Sequence, residues 1–253
     1  RRLKSMYTPE QLEEARGNLI YYPLPNTGGS MPLLKEDRNG IQATPYYHEL
    51  KAGLERLDNL ALLVFDPLQA LVEGDVNSNP QAAQFLCTLM AEMATGLNIP
   101  VIMAHHMRKG QGVKSINSPS EARDAVRGTT GLVDGMRGVL AMWPMDEKEA
   151  KRICRTMAKK GEEDCVVQAA LVKNNFPGDK KMLTYLRGAD GSMLEVSQEI
   201  AAIEADELRP RLMAMVESVR LGAEDELPFM KTGKSGVAAR KEELDPMFRQ
   251  MPI

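Results

Sequence analysis

Histidine and cysteine are scarce in this chain, with three of each among 253 residues. Cys87, Cys154 and Cys165 are odd in number and show no C-x-x-C spacing. That pattern argues against a disulfide framework and against a thiolate zinc site, and predicts small buried thiols in a reducing cytoplasm. Long hydrophobic runs are also missing. The longest is residues 60–65, LALLVF, far short of the ~18 apolar residues that mark a membrane span. No basic-then-apolar leader precedes the first helix signal, so no secretory segment and no membrane partner are expected.

What remains is ordinary for a soluble globular protein: 43% hydrophobic and 26% charged residues. The length suits one large domain, or one domain with an appendage. The net charge is −3, so the chain is no polycation, but its charge is uneven. Between His105 and Leu140 stand Arg108, Lys109, Lys114, Arg123, Arg127 and Arg137 against Glu121, Asp124 and Asp134. A local positive surplus on an acidic chain suits an anionic ligand, although a solvated face explains many such surpluses.

Residues 8–17, TPEQLEEARG, predict a helix with Thr8 as N-cap, Pro9 in the first position, Gln11 as capping-box partner and Gly17 as stop. Residues 18–25 read as a short strand cut off by prolines, and residues 25–45 as a long loop rich in Pro, Gly and Asn. A helix over 46–59 leads into residues 60–66, a continuous apolar run of the kind a fully buried parallel strand shows. Residues 78–98 form the next helix and 100–106 a second buried strand. A polar loop of about 15 residues follows, longer than most connections. Helix over 120–136, strand over 137–143 and helix over 146–161 come next, then strands over 165–176 and 181–196, the latter folded at an Asp-Gly turn. Residues 196–220 read as helix. This alternation predicts an α/β fold with a mainly parallel sheet and helices on both faces, as a core over 1–195 with a helical extension over 196–253.

In open α/β sheets ligands sit beyond the carboxyl ends of the strands, and two strand ends stand out. LALLVFDPL delivers Asp66 into a turn. A carboxylate there can hold Mg²⁺, directly or through water; an aspartate capping the turn before Pro67 explains the same stretch. VIMAHHMRKG ends a neighbouring strand on His105 and His106. Two histidines and an aspartate could in principle ligate zinc or iron. Adjacent residues on a strand point to opposite faces, however, so this pair does not converge on one ion. The third feature is RGTTGLVDGMR, in which Arg127 and Arg137 bracket a run of small residues. Two guanidiniums suit a phosphate, and salt bridges within a helix are the plainer explanation.

In order and spacing, LLVFDPL, PVIMAHHMRK, RGTTGLVDGMR and VKNNF resemble the ATPase core of RepA-type hexameric replicative helicases, a RecA-like fold of plasmid and phage replication. The likeness covers roughly residues 1–195. It implies ATP and Mg²⁺ as cofactors, with Asp66 as the Walker B aspartate acting on Mg²⁺. It implies that His106 senses the γ-phosphate and that Arg137 is the arginine finger inserted into a neighbouring subunit's nucleotide. Arg127 and Lys173 would lie at that nucleotide interface. The loop over 107–122, with Arg108, Lys109 and Lys114, would face single-stranded DNA in a homo-oligomeric, hexameric ring, through salt-dependent phosphate contacts.

One departure is large. The family's P-loop, G-x-x-x-x-G-K-[ST], and its catalytic Glu are absent from these 253 residues. Residues 1–16 resemble the helix that follows that Glu, so the chain is expected to begin where the nucleotide cradle ends and to be inactive by itself. Gly233, Lys234 and Ser235 spell the last P-loop letters, but Pro228 stands where the first glycine belongs and no apolar strand precedes it. Two alternatives stay open: a RecA-like DNA-binding or assembly subunit that never hydrolyses ATP, and a recombination-type RecA-like ATPase.

Overall fold

Capping chemistry sets the helices where the sequence marks them. The computed structural model describes residues 2–23, 29–107, 116–126, 130–158, 163–177, 181–230 and 233–244. A short helix α1 (Arg2–Met6) precedes α2 (Pro9–Arg16), whose Thr8 hydroxyl accepts the Gln11 N–H while the Gln11 side chain accepts the Thr8 N–H, a complete capping box. Residues 18–23 form no strand; Leu19, Ile20, Tyr21 and Tyr22 are exposed in irregular backbone.

The stretch expected to be a loop contains a hairpin. Strands β1 (Leu34–Asp37) and β2 (Gly40–Ala43) pair antiparallel around Arg38–Asn39, with Gly40 at φ +100°. Helix α3 (Pro45–Leu54) starts at the Thr44 cap. Strand β3 (Leu63–Phe65) runs into a 3₁₀ turn, Leu68–Leu71, and then β4 (Val72–Glu73), which pairs parallel with β1. Helix α4 (Pro80–Leu97) is capped by the Asn79 side chain and ended by Asn98 in the left-handed conformation. It carries the chain over to β5 (Val101–Met103), which pairs parallel with β3.

The single helix expected over 120–136 is two, α5 (Pro119–Asp124) and α6 (Thr130–Gly135). Val126 between them forms an antiparallel bridge with Met107. Strand β6 (Gly138–Pro144), helix α7 (Glu147–Thr156), β7 (Val166–Asn174), β8 (Met182–Arg187), β9 (Met193–Glu195) and the long helix α8 (Ser197–Glu224) complete the order.

The fold is mixed α/β, and its sheets correct the expectation of one mainly parallel sheet. They are β2-β1-β4, the parallel pair β3-β5, and a wholly antiparallel β6-β7-β8-β9. The last sheet is antiparallel because β8 and β9 are joined by a tight turn at Asp190–Gly191, with Gly191 at φ +82°, and because α7 returns the chain without a parallel crossover. Nor are β3 and β5 buried on both faces. Phe65 faces the core, while Val64 and Ile102, opposite each other in the ladder, are 54% and 51% exposed.

The chain divides into two units, one of residues 1–150 and 163–195, the other of 151–162 and 196–253. The first has its main core between α3, α4 and the 3₁₀ turn, around Leu34, Tyr47, Leu68, Leu86 and Met93. A smaller cluster joins Ala122, Ala141, Trp143 and Ala170 with Met107 and Ile116. In the second, Ile153, Cys154, Val196, Ile200 and Leu244 are buried, Arg152 pairs with Glu204, and the Arg240 guanidinium lies 4.2 Å from the Phe229 ring centre. No helix among the described residues is long and apolar enough to cross a membrane.

Candidate functional site

Backbone hydrogen bonds carry the β3–β5 ladder past the ends of both strands. Leu63 N–H donates to Pro100 O (3.1 Å), Ala104 N–H to Phe65 O (2.8 Å) and Leu68 N–H to Ala104 O (2.8 Å). Asp66 and the two histidines therefore leave from the same, carboxyl end of this two-stranded sheet, where open α/β sheets place ligands. Local sequence does the presenting. Phe65 before Asp66 and Leu68 after it are buried anchors, and Asp66 between them is exposed, followed by a cis Asp66–Pro67 bond.

Strand β5 stops at Met103, short of the 100–106 expected, so both histidines lie in irregular backbone beyond it, and they differ in exposure. His105 is half-buried, its Nδ1 3.1 Å from the amide nitrogen of Gln69, so that with the amide N–H donating the ring nitrogen accepts. His106 is exposed. No group of three or more His, Cys, Asp or Glu side chains among the described residues is placed to hold a metal ion.

Beside Asp66 lies a cavity of about 480 Å³. Tyr21, Tyr22 and Pro23 wall one part of it, Gly29 and Ser30 another, and Asp66, Pro67 and Ala70 the floor of the strand end. Ser30 is fixed there, its hydroxyl donating to Ala70 O at 2.8 Å. An exposed single carboxylate beside an open cavity fits Mg²⁺, which keeps several waters and is held through one or two carboxylates together with substrate phosphates. The tyrosine wall was not foreseen. Its signal was four consecutive exposed apolar residues, 19–22, with no alternation to make a strand.

A second group forms on the antiparallel sheet. Arg137 is exposed at the corner between α6 and β6, and its guanidinium has no hydrogen bond or ion pair among the described residues. Its carbonyl accepts the Asn175 N–H at 3.0 Å. Lys173, half-buried near the end of β7, donates from Nζ to the carbonyl of Asp134, and Arg123 meets the Asp134 carboxylate at 2.5 Å. Arg137 and Lys173 thus share one corner, on a different sheet from Asp66 and His106. Arg108, Lys109, Lys114 and Arg127 lie outside the described residues.

Residues 1–112 match the AAA domain family. That family comprises P-loop ATPases related to RecA-like helicase domains. The match takes in β3, β5, Asp66 and both histidines, and stops short of Arg137 and Lys173. It points to ATPase chemistry with a nucleotide and Mg²⁺. No curated protein matches the chain.

Proposed function

We propose that the chain is part of an ATP-dependent, hexameric, RecA-like DNA helicase of plasmid or phage replication, coupling ATP hydrolysis at subunit interfaces to movement along single-stranded DNA. The observation that carries this reading is that Asp66, beside an open cavity, and His106 follow the carboxyl ends of two paired parallel strands inside the AAA match.

Asp66 would hold Mg²⁺, and the ion when bound supplies charge neutralisation of the nucleotide phosphates. The exposed His106 imidazole offers an N–H donor to a phosphate oxygen from a backbone fixed by Ala104 on one side and by the Met107–Val126 bridge on the other. Arg137 stands on another sheet with an exposed guanidinium and no ion pair among the described residues, as suits an arm reserved for a neighbouring subunit's nucleotide. Arg127 completes the phosphate contacts in this reading. Arg108, Lys109 and Lys114 would supply the contacts to DNA phosphate in this reading, and such contacts make binding fall with salt.

Substitution of Asp66 by Asn in the intact gene product tests the reading. Magnesium-dependent, DNA-stimulated ATP hydrolysis should fall by on the order of 100-fold. Undiminished hydrolysis removes Asp66 from the site. The second reading is a RecA-like subunit that assembles and binds DNA without hydrolysing ATP. An intact reading frame that encodes no P-loop decides for it.

A further inference from the structure

Resting on the reading of Arg137 as a finger, we infer that Lys173 is a positioning residue that acts through Arg137 rather than a ligand of the nucleotide. Resemblance alone assigns it to the nucleotide; the geometry gives it other work. Lys173 lies opposite Val139 in the β6–β7 ladder, two residues beyond Arg137. Its ammonium reaches back across the corner to the carbonyl of Asp134, in the last turn of α6. The last carbonyls of a helix have no partner within it and carry partial negative charge, so a lysine there both satisfies a free acceptor and complements the dipole.

The corner is held from three sides. Underneath, Leu132 and Val133 are buried, the Cys87 thiol donates to Leu132 O at 3.6 Å, and a Cβ on Gly135 would come within 2.5 Å of Cys87 Sγ, so α6 is seated closely on α4. Outside, Arg123 from α5 holds the Asp134 carboxylate. On the strand side, Lys173 holds the Asp134 carbonyl and Asn175 N–H holds the Arg137 carbonyl, both from the end of β7. The Arg137 backbone is therefore fixed while its guanidinium is left unengaged among the described residues. An arm that must meet a phosphate in another subunit gains from a base ordered in advance, because less motion is lost when it inserts.

The test is a cycle of Lys173→Met, Lys173→Arg and Arg137→Ala in the intact gene product, read by ATP hydrolysis and by hydrogen exchange. Lys173→Met should lower kcat about 10-fold or more with KM for ATP unchanged, as expected when a reacting arm is misplaced. Lys173→Arg, which keeps a donor and the charge, should recover most of the loss. In the Arg137→Ala background Lys173→Met should have no further effect. The Asn175 amide should exchange faster in Lys173→Met and not in Arg137→Ala. Independent, multiplying losses in the double variant, or a rise in KM alone, would show Lys173 touching the nucleotide and overturn the inference, as would unchanged exchange at Asn175. If Arg137→Ala leaves kcat intact, the finger reading falls on its own, and faster exchange at Asn175 still upholds Lys173 as the clamp of this corner.

Discussion

The amide of Ala104 donates to the carbonyl of Phe65 at 2.8 Å, and this bond brings the residues that follow each partner to one sheet end. Asp66 comes next after Phe65, and His105 and His106 next after Ala104. Because Phe65 and Leu68 are buried on either side of it, Asp66 is offered outward from a fixed base.

The two histidines should respond oppositely to substitution. His105→Phe leaves the Gln69 amide without its ring partner and should lower stability by about 1 kcal/mol. His106→Ala, at an exposed position, should stay within about 0.5 kcal/mol of the parent while abolishing hydrolysis in the intact gene product. Urea unfolding together with ATP turnover separates the two effects. Equal stability loss at both sites would contradict the division of the pair.

Trp143, the one tryptophan in the chain, ties the base of the basic loop to the antiparallel sheet. Its indole N–H faces both Ile116 O and Gln168 Oε1 at 3.1 Å, and its ring is 3% exposed. Trp143→Phe leaves both acceptors short of a donor, and should cost about 1–3 kcal/mol. Denaturant unfolding followed by far-ultraviolet circular dichroism measures this; an unchanged midpoint would mean that the bond does not hold the loop base.

Burial pushes the Cys87 thiol up to about 11, against an ordinary value of 9.0, with the Lys173 charge acting the other way. Since the folded value lies above the unfolded one, the associated stability is fully present below pH 9.0 and is lost as the pH rises towards about 11. Thermal unfolding of Cys87→Ala, compared with the parent across that window, should show a smaller alkaline decline. At neutral pH, Cys165, which is less buried, should react with iodoacetamide before Cys87. Prompt labelling of Cys87 in the native protein would contradict the close seating of α6 on α4.

Local chemistry was the legible part of this fold. Thr8, Asn79 and Pro80 write their helix starts into adjacent residues, and Asp190–Gly191 writes its turn. Asp66 and His106 could be placed because a strand end is marked by the residues around it. Strand direction was not legible. In β6, Ala141 and Trp143 are buried while Leu140 and Met142 are 59% and 41% exposed. Apolar residues on the open face disguised the alternation typical of an antiparallel strand. The β1–β2 hairpin escaped because LKED and GIQA have little apolar alternation, and its two turn residues, Arg38–Asn39, are no Asn-Gly or Asp-Gly pair. The Lys173–Asp134 contact joins residues 39 apart, and no local pattern could announce it.

The most direct test of the account is subunit mixing. In the intact gene product, Asp66→Asn and Arg137→Ala should each lower ATP hydrolysis by on the order of 100-fold or more when every subunit carries the change. If Asp66 serves one subunit's nucleotide and Arg137 comes from its neighbour, a mixture of the two variants contains interfaces with both native residues. That mixture should regain DNA-stimulated hydrolysis. A mixture as inactive as either variant alone would contradict a site shared between subunits.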